Sequence, residues 1–407
     1  MTGVTGSSWD FRGFKKSGIH SLGKYPATMV AEMQFKLLKE WTTGTNQVVL
    51  DPFMGSGTSL VEAQRLGFDA IGIDINPYAV LLSQVKTHNY GDVNWHALKA
   101  RLSERLFFNH GSIENWHFSN IDKWFRPDII RSLTKVRNAI LHEDDIWIRR
   151  YLWICMSEVI YYHSNDRTST FKMHVKPNSQ IKNIKDDVIE TFLEIVFSKK
   201  SYLPVTQQQS VRIVSGDAKK ACESLATNSI DVICTSPPYG ENATTVTYGQ
   251  FSILFLKWID ERDISGDEKL LDNFSAIDSF SLGGKNAELE PIDIRVVEEF
   301  VNSIAIRKQQ KVRRFLSDYL IIIKQLSRVL KRGGVALFTV GNRRVDGVQQ
   351  PLDLITVQMF KKYSVQLIDE EKRHILSKKM PVRLSSDSKG TPVKSMNEES
   401  ILIFKKV

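Results

Sequence analysis

Residues 47–89, QVVLDPFMGSGTSLVEAQRLGFDAIGIDINPYAVLLSQVKTHN, decide the fold. Val48-Val49-Leu50 is a short apolar, β-branched run and reads as a buried strand. Asp51 to Gly57 is a glycine-containing turn. Thr58 to Leu66 has helical spacing, and Gly67 stands where helices end in a left-handed residue. Ala70 to Ile73 is the next strand. Asn76-Pro77 opens another helix, with the proline in the first turn, where a missing N–H costs nothing. A β-α-β-α run of this kind points to a doubly wound α/β fold.

Outward from this stretch the pattern repeats. Val211 to Val214 is a strand, Gly216-Asp217-Ala218 a turn, Lys219 to Leu225 a short helix and Ile230 to Cys234 a strand. Phe315, Leu316, Tyr319, Leu320, Ile323, Leu326 and Leu330 fall on one helical stripe. Gly333-Gly334 is expected to stop that helix, with Val335 to Val340 as the strand that follows. Ser364 to Ile368 and Ser400 to Phe404 read as two further, antiparallel strands. Short strands alternating with helices favour a mostly parallel sheet. Two segments interrupt it: Tyr90 to Gln209, helical with Trp and Arg interleaved, and the polar stretch Asp260 to Lys311. The expected division is therefore 1–89, a helical insertion at 90–209, and 210–407 with a polar insertion at about 260–311.

Composition narrows the class. Apolar residues make up 42 % of the 407, enough for a sizeable core. No apolar run approaches the roughly 18 residues of a membrane span, and Met1 to Lys16 lacks the apolar stretch of a secretory signal. Cys155, Cys222 and Cys234 lack metal-ligand spacing and are expected to be reduced thiols in a cytoplasmic protein, with no metal site. The formal net charge of +9 is compatible with a polyanionic partner but does not select one.

Asp51-Pro52-Phe53-Met54-Gly55-Ser56-Gly57-Thr58 lies between a strand and a helix, where glycines let the backbone approach a ligand closely. The lysine of a phosphate loop is absent, and Leu60 stands where a dinucleotide fingerprint needs its third glycine. Asp74, at the end of the next strand, can accept hydrogen bonds from both hydroxyls of a ribose. A ligand with a ribose and no need of a pyrophosphate clamp fits, and S-adenosylmethionine is such a ligand. An ordinary tight turn with a strand-end Asp is the alternative.

Thr235-Ser236-Pro237-Pro238-Tyr239-Gly240 follows a second apolar strand. Its prolines stiffen the chain and remove donors. That suits a reaction at an exocyclic amino group, whose lone pair is delocalised into the base. Acceptors around its N–H bonds localise the lone pair. Ser236 Oγ and the Pro237 carbonyl are the candidate acceptors, Pro238 shapes the loop, and Tyr239 offers a ring on which an extruded base can stack.

DPFMGSGTS (Asp51 to Ser59) and TSPPYG (Thr235 to Gly240) together resemble motifs I and IV of the amino-group DNA methyltransferases, the N4-cytosine and N6-adenine family. Tyr25-Pro26 resembles the motif that packs on the methionine end of the cofactor, Asp74 the ribose acid, and Asp217 the acid near the adenine. The resemblance covers about half the chain. It implies a seven-stranded methyltransferase sheet with a helical insertion. It also implies S-adenosylmethionine as cofactor, with Tyr25, Pro26, Asp51, Pro52, Phe53, Gly55, Ser56, Gly57, Thr58, Asp74 and Asp217 around it. Ser236, Pro237, Pro238 and Tyr239 are the implied catalytic residues, DNA the implied substrate, and a restriction endonuclease or defence system the implied partner. Serine at the head of motif IV leans toward N4 of cytosine over N6 of adenine. The long insertion falls between Asp74 and Asp217, unlike the family's usual target-recognition region. An RNA guanine-amino methyltransferase and an inactive DNA-binding relative are the competing readings.

Arg307, Lys311 and Arg314 recur at helical spacing and are expected to contact DNA phosphates. Arg126, Arg131, Lys135, Arg149 and Arg150 of the insertion form a second basic group, beside a stripe, Ile129, Leu133, Val136 and Ile140, expected to be core.

Overall fold

The β-branched and apolar runs build nine strands among the residues described by the computed structural model, which are 8–108, 114–169, 172–206, 209–240, 246–284, 289–375 and 396–407. The strands are β1 (Val48–Asp51), β2 (Asp69–Asp74), β3 (Val211–Ser215), β4 (Ile230–Thr235), β5 (Leu330–Val340), β6 (Arg344–Val345), β7 (Val348–Gln349), β8 (Val365–His374) and β9 (Glu398–Lys406). Seven form one sheet in the order β3-β2-β1-β4-β5-β9-β8, and β6 pairs with β7 in a separate hairpin. The pairs from β3 to β5 are parallel, and β9 runs antiparallel between β5 and β8.

Alternation along the strands assigns the two faces. Val49, Val232, Cys234, Leu337, Ile401 and Ile403 pack on one side with Met33, Leu37 and Leu38 of helix Ala31–Trp41 and Leu60 of helix Thr58–Arg65. Their neighbours Leu50, Ile233, Ala336, Phe338, Leu402 and Phe404 point the other way, onto helices Ala218–Glu223, Ile306–Val329 and Leu352–Lys361. Phe338, Phe360 and Phe404 meet there with centroids 4.6–6.1 Å apart. Loss of Phe360 would leave a cavity costing about 3–5 kcal/mol.

The segment between β2 and β3 folds as helices whose largest members are Trp95–Ser103, Pro127–Leu141, Ile146–His163 and Val188–Lys199. Ile129, Leu133, Val136 and Ile140 are fully buried in their core. That core is continuous with helix Pro77–Thr87 of the sheet layer and with helix Tyr248–Leu256, which follows β4. No helix among the described residues is long and apolar enough to cross a membrane.

One expectation is corrected. Gly333-Gly334 does not stop the long helix, which ends at Val329, and β5 begins at once with Leu330. Backbone N–H groups of Asn228 and Ser229 take the carbonyls of Arg328 and Val329, so the helix end is satisfied from the turn before β4. The glycines instead sit in a register shift of the β4–β5 pairing. There Gly333 has φ +76°, and a Cβ on Gly334 would meet the Asp231 carbonyl at 2.9 Å.

The strand order reverses between β1 and β4. A doubly wound sheet opens a crevice at the carboxyl ends of the strands on either side of such a point. Both glycine- and proline-marked loops leave from those two ends.

Candidate active site

The loop after β1 is shaped by two left-handed glycines, Gly55 (φ +49°) and Gly57 (φ +75°). Space and backbone both require glycine at Gly57, because a Cβ there would meet Ser83 Oγ at 2.8 Å. Nearly every polar group of the loop is tied. Asp51 accepts from Phe53 N at 3.0 Å, from Thr235 Oγ1 at 2.6 Å and from Ser59 Oγ. Asp74 accepts from Gly55 N at 2.9 Å and Asn76 N at 2.8 Å. Beneath the loop, Lys86 is buried and donates to the Ser56 carbonyl at 3.1 Å. Burial disfavours charge on all three groups. It pushes Asp51 and Asp74 up to about 6, against the hydrogen bonds they accept, and Lys86 down to about 7.

A cavity of about 880 Å³, including its open mouth, lies over this loop. Tyr25, Pro52, Phe53, Gly55, Ser56, Thr58, Asp74 and Asp217 line it, and so do Ser236 and Pro238 from the loop after β4. Tyr25 lies against Gly55 and stacks on Tyr248 with centroids 5.6 Å apart. Asp217 caps helix Ala218–Glu223 by accepting from Lys219 N at 2.9 Å.

Five of the expected site residues are not in the lining. Asp51 turns its carboxylate inward onto Ser59 and Thr235. Gly57 faces Ser83, Pro26 and Pro237 are buried, and the Tyr239 hydroxyl reaches away to Glu399. None of these five lines this cavity.

Other wall residues were not anticipated. Ile75 and Asn76 follow Asp74, Tyr248 opens the helix after β4, and Ile277, Phe280 and Leu282 come from the segment read as a polar insertion. That insertion folds back over the crevice. The signal was present as apolar residues three and two apart ahead of Gly283-Gly284, within a polar surround.

The loop after β4 is fixed by the end of β5 and by β9. Gly240 lies under Arg343, where a Cβ would sit 2.1 Å from the guanidinium carbon. Ser236 Oγ is 3.1 Å from Tyr239 Oη, and Tyr239 donates to Glu399 at 2.9 Å. Cys234 is buried in β4, its thiol pushed well above the ordinary range by desolvation, and donates to Gln34 at 2.9 Å. It is inert as a nucleophile.

The two basic groups differ. Arg126 pairs with Asp128 and donates to the carbonyls of Ile181, Lys182 and Ile184. Arg149 pairs with Asp263 at 2.8 Å, and Arg150 donates to the Asp263 carbonyl at 3.1 Å. These three arginines clamp structure, whereas Arg131 and Lys135 are exposed. On helix Ile306–Val329, Lys308 pairs with Asp346 and Arg313 with Glu298. Arg307 and Lys311 are exposed and Arg314 half-buried, and none of the three forms an ion pair among the described residues. The start of this helix is tied to the turn after β5, where Asp346 pairs with Lys308 and accepts from Ala305 N at 3.2 Å.

The sequence of this chain is similar to those of known proteins. A family model described as DNA methylase, of the N6/N4 type, matches residues 2–85. The chain is 30 % identical to the type II methyltransferase M.MvaI of Kocuria varians, over 95 % of this chain and 90 % of that one. It is 24 % identical to the type II methyltransferase M.BsoBI of Geobacillus stearothermophilus, over 85 % and 78 % respectively. A shorter match, 34 % identical over 18 % of this chain and 13 % of the other, joins it to the type II methyltransferase M.MjaII of Methanocaldococcus jannaschii.

Proposed function

This chain belongs to the type II methyltransferases of the N6/N4 DNA methylase kind, and from that premise we propose that it methylates an exocyclic amino nitrogen of a base in DNA, N4 of cytosine rather than N6 of adenine. The observation that carries the reading is that Asp74 and Ser236 open onto one cavity at the reversal point of the sheet.

S-adenosylmethionine fits the residues present. Asp74 is a half-buried carboxylate that keeps acceptor capacity beyond its backbone donors, Gly55 and Asn76 among them, as ribose hydroxyls require. Phe53, Ile75, Phe280 and Leu282 offer apolar walls for a purine, Asp217 a polar edge, and Tyr25 a ring beside the glycine loop. When bound, S-adenosylmethionine would supply an electrophilic methyl group, its sulfonium carbon–sulfur bond breaking to leave a neutral thioether while the amino nitrogen releases one proton to solvent. The chain's own part is to hold the amino group. Ser236 Oγ and the Pro237 carbonyl accept from its N–H bonds, and the stiff Pro237-Pro238 pair keeps those acceptors in place. The base leaves its duplex to reach them and stacks on Tyr239. Serine at position 236 favours cytosine.

Residues 1–89 then serve the cofactor and 210–407 the chemistry, while 90–209 contributes to reading the target. Arg307, Lys311 and Arg314 contact phosphates. A cognate restriction endonuclease, or another defence component, is the partner this reading implies.

The test is methyl transfer from labelled cofactor to duplex DNA, heat-denatured DNA and tRNA, followed by nucleoside mass spectrometry. N4-methylcytosine from duplex DNA is expected. Methyladenine alone would reverse the choice of base, label only in tRNA would move the enzyme to RNA, and no label anywhere would leave a DNA-binding relative.

A further inference from the structure

The loop after β4 carries a chain of hydroxyls whose direction is set from outside the loop. Tyr239 Oη donates to Glu399 Oε1 at 2.9 Å, and Ser236 Oγ lies 3.1 Å from Tyr239 Oη. A phenol has one proton to give. Burial, with the Glu399 charge beside it, pushes the Tyr239 phenol well above its ordinary value, so that proton stays on oxygen and is committed to Glu399. The hydrogen between Ser236 and Tyr239 must therefore be the serine's. With its hydrogen engaged, Ser236 has only lone pairs to turn toward the cavity it lines.

Without that commitment a serine hydroxyl rotates and can donate as readily as it accepts. A donor facing the amino nitrogen would compete for the very lone pair that has to be freed. We infer that Glu399 is a positioning residue: acting through Tyr239, it holds Ser236 Oγ as a hydrogen-bond acceptor toward the amino group of the target base. The inference rests on the amino-methyltransferase reading above.

The surroundings are built for this contact. Glu399 stands opposite Arg373 in the β8–β9 ladder, one residue before Ser400, which pairs with the last residue of β5. Its side chain is only 15 % exposed, and Arg373 Nε lies 3.6 Å from its second oxygen. Gly341 leaves room for the phenol ring, since a Cβ there would sit 2.7 Å from Tyr239 Cε2.

Glu399→Gln tests the direction of the chain with little change in shape. The Arg373 guanidinium draws the amide oxygen, which turns the amide NH₂ toward Tyr239 and reverses both hydrogen bonds. In the full chain, kcat for DNA methylation should fall about tenfold or more, while KM for S-adenosylmethionine and Kd for DNA stay within about twofold. Tyr239→Phe keeps the ring and removes the relay, and should lose a similar factor. The double variant should fall no further than the weaker single variant, because both changes break one unit.

Wild-type kcat in Glu399→Gln, or losses that multiply in the double variant, would overturn the inference. So would a fall in kcat matched by equal falls in cofactor affinity and thermal stability, which would make Glu399 merely structural. Should the wild-type chain itself transfer no methyl group to DNA, the underlying reading fails first, and that result is distinct from the other three.

Discussion

The loop after β1 is braced largely by its own neighbourhood, and the loop after β4 by the far end of the chain. Asp51 gathers Phe53 N and Ser59 Oγ from within eight positions of itself, and Lys86 supports Ser56 from the adjoining helix Pro77–Thr87. Tyr239, by contrast, reaches Glu399 across 160 positions, and Gly240 is roofed by Arg343. One bond, Thr235 Oγ1 to Asp51, joins the two loops at 2.6 Å. The contrast shows why glycine and proline motifs can be read locally while the residues that aim them cannot.

The sharpest way to break this contrast is at the acceptor itself. Ser236→Ala should lower kcat by about 10²–10³ with cofactor binding intact, the scale expected for losing one preorganised polar contact. Single-turnover methylation and calorimetry measure the two quantities separately. A variant with normal turnover would remove the loop after β4 from the chemistry.

Asp74→Ala should weaken S-adenosylmethionine binding by about 1.5–3 kcal/mol, because hydroxyl donors lose a charged acceptor. The sign with pH follows from the raised carboxyl value. Below about 6 Asp74 is protonated and accepts poorly, so wild-type affinity should rise as pH passes through 6 and level off above it. Calorimetry at pH 5 and 7.5 checks this. A slope surviving in the variant would belong to Asp51, which titrates in the same window.

Thr235→Val cuts the bond between the loops and should cost about 1.5 kcal/mol of stability in urea. Thr235 stabilises ionised Asp51, so the loss should be largest above about pH 6 and fade as the carboxyl takes its proton. An equal loss at pH 4.5 and 7.5 would mean that the contact is simple packing.

The smallest effect separates tethered charge from free charge. Replacing Arg307, Lys311 and Arg314 by Ala should reduce the salt dependence of DNA binding by about 0.9 for each phosphate no longer neutralised, with sequence preference unchanged. Arg149→Ala should leave that slope alone and lower stability instead, since its partner is Asp263. If the two variants behave alike, the distinction between them fails.

Local pattern was enough for the alternation of strands and helices and for both motif loops, because period and turn chemistry are properties of neighbours. Gly333-Gly334 misled because glycine doublets end helices often, whereas here the helix end is satisfied by backbone from before β4. Ile277, Phe280 and Leu282 were hidden in a polar stretch whose apolar residues face inward only once the segment folds back over the crevice. Glu399 had no local signal at all. Its role follows from the antiparallel register that sets β9 beside β5.

That same sheet order bears on how the chain comes off the ribosome. The β1 edge that receives β4 waits for partners such as Val232 opposite Val49, about 180 residues later in synthesis. At typical translation speeds the interval is roughly ten to forty seconds. During it the nascent β1–β2 pair presents an unpaired, apolar edge, the kind of surface that recruits chaperones or a neighbouring nascent chain. The helical insertion is synthesised in that interval, and in the folded chain it shares a core with helix Pro77–Thr87, so it is placed to shield that side of the young half-sheet.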